Sequence, residues 1–213
     1  VYTSLLALGL FVAWLPTLRS RVSAGTAAIL TLALSSAYLG YGWFQGARTE
    51  TVARAQLEAK GVTPDRLAAF PTILQVHLRR VVARTATEDR GGFYSTWAPC
   101  EIEWTIAPRL QDRALTAPFL ASREGRVFDW FAMGWARYDV LATENGAELT
   151  VGDLRYGFDD DPLSSIFSVT AELDPAGLPV RTVAAGRVGP RDPGRTFDRL
   201  VQDTYAPACR IFR

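Results

Sequence analysis

Residues 151 to 162 read VGDLRYGFDDDP, so four aspartates, Asp153, Asp159, Asp160 and Asp161, fall within nine positions. Carboxylates this close together could hold a hard divalent cation, which takes oxygen ligands. The spacing is wrong for a calcium loop: the Asp-x-Asp-x-Asp-Gly run and its closing glutamate are both missing. Three aspartates in a row before Pro162 instead spell an acidic turn. Asp153 and Arg155 stand two apart on an expected strand, so they share a face with Leu149 and Val151. A carboxylate beside a guanidinium on an otherwise apolar face predicts a paired, partly buried couple that fixes the strand's surroundings.

The chain has one histidine, His77. A catalytic or metal-binding imidazole works with other histidines, a cysteine or a positioned carboxylate, and none lies nearby in sequence. His77 therefore reads as a solvated or hydrogen-bonded strand residue. HExxH, CxxC, GxSxG and glycine-rich phosphate loops are all absent, and a single histidine leaves little room for a Ser-His-Asp arrangement. No catalytic, metal or cofactor-binding residue is assigned, and no cofactor is expected in this chain. Cys100 and Cys209 could pair in an oxidising compartment, yet two cysteines in 213 residues read more simply as small buried apolar side chains.

The elements that position these residues begin with two uncharged spans. No charged side chain occurs from Val1 to Leu18, or between Arg21 and Arg48. At about 1.5 Å per helical residue, each is long enough to cross a hydrocarbon core of roughly 30 Å. Backbone groups inside a bilayer must bond to one another, so both spans should be helices. The first lacks a basic leader and a second apolar run follows at once, which favours a membrane hairpin over a signal peptide. Tyr38, Tyr41, Trp43 and Phe44 gather where the second run ends, as aromatic rings do in the headgroup layer. Gly40 and Gly42 offer small surfaces for close helix contact. Arg19 and Arg21 place the tight loop in the cytoplasm, while Arg48, Arg54 and Lys60 pull the other way. The chain enters a membrane segment directly from Val1, so it reads as a C-terminal piece. The balance of 23 basic and 22 acidic residues gives no reason to expect nucleic acid.

Beyond the hairpin, TETVARAQLEAKG has i,i+4 charge pairs and a closing glycine, Gly61, and so predicts a solvated helix. Thr63 and Pro64 suit the start of a second short helix that ends before Pro71. From Val76 the pattern turns to period two: VHLRRVVART, then CEIEWTI, then WARYDVLAT, AELTVGDLRY, SIFSVTAELD and LPVRTVAA. GRVFDWFAMG interrupts them with a helical face, and Asn145-Gly146 and Asp174 to Gly177 supply hairpin turns. The expected fold is α+β: a transmembrane helical hairpin over 1–47, a helical neck over 48–75, and a mainly antiparallel β-sheet domain with short helices over 76–213. About 140 residues are enough to bury a core.

The order of AFPTILQVHLRRVVART, FDWFAMGWARYDVLATENGAELTVGDLRYGF and FSVTAELDPAG after a membrane hairpin resembles the C-terminal half of the YdjM-like membrane-bound metal-dependent hydrolases. Arg80 to Val82, Trp135 to Val140 and Val151 to Tyr156 carry most of the likeness. It implies the C-terminal portion of an inner-membrane hydrolase, bacterial or archaeal, whose divalent metal sits in an upstream half rich in His and Asp. No residue here matches that ligand motif, so no catalytic role is carried over. Membrane lipid and upstream membrane helices are the implied partners. Two further readings stand beside it: a non-catalytic, membrane-anchored β domain that binds a lipid, a peptide or a membrane protein, and a purely structural cap on a membrane bundle.

Overall fold

The computed structural model describes residues 23–72, 75–157, 161–187 and 193–205. The first uncharged span, Asp159, Asp160 and Cys209 lie outside them. One long helix, α1 (Ala24–Ala59), opens the described part. Ser23 caps it, its hydroxyl accepting from the Thr26 N–H at 3.1 Å and so satisfying one of the donors left over in the first turn. Its 36 residues extend about 54 Å. By length and composition α1 is the one helix among the described residues that could cross a membrane.

The two halves of α1 face different surroundings. Ile29, Leu30, Leu32, Leu34, Leu39, Trp43 and Phe44 are all largely exposed. Further on, Gln45, Thr49, Ala53 and Leu57 recur every fourth residue and are buried. That spacing makes one stripe along a helix, and the stripe rests on the first of two sheets.

Both sheets are antiparallel and take their strands in chain order. Sheet A holds β1 (Arg66–Pro71), β2 (Leu78–Arg84), β3 (Glu88–Ser95) and β4 (Thr105–Pro108). Two short helices follow, α2 (Arg113–Ala121) and α3 (Arg123–Ala132). Sheet B then holds β5 (Ala136–Thr143), β6 (Gly146–Asp153), β7 (Phe167–Leu173) and β8 (Pro179–Arg187), and α4 (Pro193–Tyr205) comes last. The arrangement is α+β.

Strand β2 is buried at every position, because both faces of sheet A are covered. Val81 packs with Ala53, Ala69, Tyr94 and Ile102 on the α1 side. Val82 packs with Trp135, Leu154 and Leu163 on the other. Sheet B has its own core, in which Leu149, Val151, Val169 and Leu173 close on Phe119 of α2 and Phe128 of α3. Each such side chain contributes roughly 1.5–3 kcal/mol by leaving water. The β5–β6 hairpin turns at Gly146, whose φ of +146° excludes a side chain.

Three elements differ from the sequence expectation. The helix runs unbroken through the expected boundary at 47/48, so its bare apolar part and its domain-facing part are one rod. Residues 66–71 form β1, where a short helix was expected. The pairing of Ala69 with Val81 and a hydrogen bond from the Ala69 N–H to Glu50 Oε1 at 3.1 Å outweigh the local helix signal. In CEIEWTI the ladder begins only at Thr105. Residues before it are held by Gln56 of α1, whose Oε1 accepts from the Ile102 N–H at 2.9 Å, so a side-chain amide takes a neighbouring strand's place.

Candidate functional site

Asp153 and Arg155 do meet. Asp153 ends β6 and is fully buried. Arg155 Nη2 lies 2.7 Å from Asp153 Oδ2, and the Arg155 backbone N–H donates to Oδ1 at 2.9 Å. Arg155 is in the turn after the strand, so the two meet by chain reversal and not along one strand face as expected. The guanidinium also donates to the Phe131 carbonyl and lies against the rings of Phe131 and Tyr156. Its bond to Asp153 raises the Arg155 pKa above the ordinary value. The backbone N–H, Nε and Nη2 of Arg155 all bond within the protein, which makes the pair a bracket between β6 and the end of α3.

Asp161, the one of the three consecutive aspartates among the described residues, acts on a buried arginine. Arg80 is 2 % exposed, and its Nη2 donates to the Ser164 carbonyl. Its Nε and Nη1 are buried without a hydrogen-bond partner. Burial pulls the Arg80 pKa down to about 10, against the opposing pull first of Asp161 and then of Asp153. Asp161 folds its own loop, with Oδ1 accepting from the Leu163 N–H at 2.8 Å. Among the described residues no three His, Cys, Asp or Glu side chains come together to hold a metal ion.

Arg79, on the opposite face of β2, ties sheet A to α1. It donates to the Gly42 carbonyl, and to Val76 O at 2.9 Å through Nε. Gly42 and Gly46 lie against this joint: a Cβ on Gly42 would stand a tight 3.3 Å from Val76 Cγ1, and one on Gly46 in ordinary contact, 3.6 Å from Arg79 Nη1. Gly42, expected to serve contact between membrane helices, serves this joint. His77 sits next door, its Nδ1 3.1 Å from Thr96 Oγ1. Its ring makes edge contacts with Tyr41 at 5.7 Å and Trp97 at 5.4 Å, and Trp97 continues to Tyr205 at 5.8 Å. Burial, then the nearby Arg79 charge, lowers the His77 pKa. Trp97 and Tyr205 are more than half exposed, as is Trp43 on the helix. The result is a band of open aromatic rings from α1, the end of β3 and α4, at the level where the bare half of the helix meets the domain.

The joints made by Arg79, Arg80 and Arg84 were not anticipated. A signal was present: three arginines in LRRVVAR cannot all point to one face of a strand, so one face must bury charge. The disulfide state was also misjudged, since Cys100 is disulfide-bonded and not merely a small apolar side chain. The chain's other cysteine, Cys209, lies outside the described residues. No protein-family model, curated protein or solved structure matches this chain.

Proposed function

We propose that this chain is a membrane-anchored domain, without chemistry of its own, that is held against the bilayer to engage lipid headgroups and a membrane partner. The observation that carries the reading is α1 itself: one unbroken helix, bare and apolar over its first half and clamped to sheet A over its second. A helix with a large exposed apolar face needs an apolar solvent. The aromatic band supports the same placement, because amphipathic rings settle at the headgroup layer. Trp97 and Tyr205 come from the sheet domain, so the domain rests on the membrane as well as hanging from it. The disulfide at Cys100 favours an oxidising compartment for the domain. The positive-inside preference of Arg19 and Arg21, read from the sequence, agrees with that orientation.

A second reading keeps the resemblance to YdjM-like hydrolases, with this domain as the extramembrane part of a metal-dependent enzyme of the inner membrane. What supports it is the position of the resembling motifs. Val82, Trp135 and Leu154, one from each of these motifs, pack together between sheet A and sheet B, so a shared fold would keep them.

Fractionation with spectroscopy tests the first reading. The expressed chain should stay in membranes through a carbonate wash and leave only with detergent. In vesicles with brominated acyl chains, part of its tryptophan emission should be quenched, and less of it once Trp43 and Trp97 are replaced by Phe. Release by carbonate sinks the reading. Bound divalent metal copurifying with this chain would favour the second.

A further inference from the structure

At the end of sheet A away from Gly42, a cavity of about 570 Å³ opens between Asp89, Arg109, Arg113, Arg137, Tyr138 and the apolar side of α2 at Leu120. Its volume falls in the range of small-molecule sites. Three guanidinium groups face it, and its carboxylate, Asp89, is already held by Arg84 at 2.6 Å. Arg109 donates to Thr85 O at 2.8 Å and stands 3.9 Å from Asp89 Oδ1. Arg137 grips Asp139 through Nε and Nη2, at 2.9 and 2.6 Å, which leaves Nη1 buried and without a partner. Four guanidinium groups (Arg84 included) thus answer two carboxylates, Asp89 and Asp139. Uncompensated positive charge beside an apolar wall is costly, and an anion in the cavity would offset it. Leu110, Ala117 and Ala121 continue the apolar wall opposite.

We propose that this cavity binds a soluble organic anion, a carboxylate or phosphate monoester attached to an apolar body. Its location argues for a ligand from solution. Strand β2 starts at Leu78, beside the contact with Gly42, and ends at Arg84, which carries the cavity's floor roughly 20 Å farther from the helix's bare half. The anion meets Arg109 and Arg113 at the wall, with the charge of Arg137 behind them, and its apolar body lies along α2. Tyr138 adds a hydroxyl at the rim. This proposal goes beyond the membrane reading and stands without it.

Titration calorimetry on the full chain in nonionic detergent tests it, with four probes: phenyl phosphate, 3-phenylpropionate, inorganic phosphate and phenethylammonium. Saturable binding is expected for at least one aryl anion, and which one binds separates phosphate from carboxylate. Arg113→Gln should weaken that binding about tenfold, the loss of one charge-assisted contact. Ala117→Trp, at an exposed wall position, should fill the space and abolish binding. Both should melt as wild type does. The proposal fails if neither aryl anion binds, if phenethylammonium or inorganic phosphate binds equally well, or if both variants bind like wild type.

Discussion

Arg84 and Asp89 are ladder partners across the β2–β3 hairpin, and Arg84 Nε lies 2.6 Å from Asp89 Oδ1 with both side chains shut off from solvent. The same guanidinium reaches over to sheet B, donating to Gly134 O at 2.7 Å and to Ala136 O at 2.8 Å. Arg66 adds a bond to Gly134 O at 2.8 Å and covers the Trp135 ring at 4.6 Å. Met133 and Gly134 close α3 with left-handed backbone, at φ +50° and +78°, so its terminal carbonyls point at these two arginines. Removing one member of an enclosed ion pair strands the other. Asp89→Ala should therefore cost about 3–5 kcal/mol in urea unfolding. Arg84→Met with Asp89→Leu should cost clearly less than the two single changes together.

Arg79 holds α1 to the sheet by the Gly42 carbonyl. Arg79→Met keeps the length of the side chain and deletes the bonds. Amides from Gln45 to Leu57 should then exchange hydrogen at least about tenfold faster, while sheet B stays protected. Equal protection in both proteins would remove Arg79 from the joint.

His77 gives the fold a pH dependence of known sign. Its pKa in the folded chain lies below the ordinary 6.5, so between the two values the unfolded chain holds the proton and the folded chain does not. Its contribution is present above pH 6.5 and is lost as the pH falls from there toward the folded value. His77→Gln keeps an acceptor for Thr96 and cannot titrate there. Its melting temperature should fall less between pH 7 and pH 5 than that of wild type, in parallel melts.

Gly157 lies against the Arg80 guanidinium, and a Cβ there would overlap Nη1. Arg80 is enclosed and cannot swing away. Gly157→Ala should cost about 1–3 kcal/mol, and Arg80→Met in the same chain should recover part of it. A thermal-melt cycle over the four proteins reads the coupling.

Cys100 in the oxidised protein should resist alkylation until a reductant is added. Reduction should lower stability by about 2–4 kcal/mol. Mass shifts after iodoacetamide, with and without reductant, check the first statement, and urea midpoints the second.

Much of this was legible in the residues. The β-branched runs from Trp135 to Asp153 and from Phe167 to Leu173 alternate over long stretches, and turn signals at Asn145-Gly146 and Asp174 to Gly177 fix their register. The Asp153–Arg155 pair followed from its spacing, although a turn and not a strand face brings it together. What was hidden depended on tertiary contact. Strand β1 is short and alanine-rich, and only β2 and Glu50 make it a strand. The end of CEIEWTI is set by Gln56, 46 residues away. The joints made by the arginines of LRRVVAR were hidden too, because the carbonyls that accept from them lie far along the chain, at Gly42, Gly134, Ala136 and Ser164.

The absence of any break between the bare and clamped halves of α1 makes it a lever. From Phe44 to Ala59 the rod extends roughly 22 Å. A membrane helix commonly leans by about 20°, by an amount that follows bilayer thickness, and such a lean would carry the far end about 8 Å sideways. On the membrane placement proposed above, Arg79 and the Gln45-to-Leu57 stripe, which fasten sheet A to that rod, would turn a change in lipid thickness into a swing of the whole sheet domain, and the domain would register the bilayer as an angle.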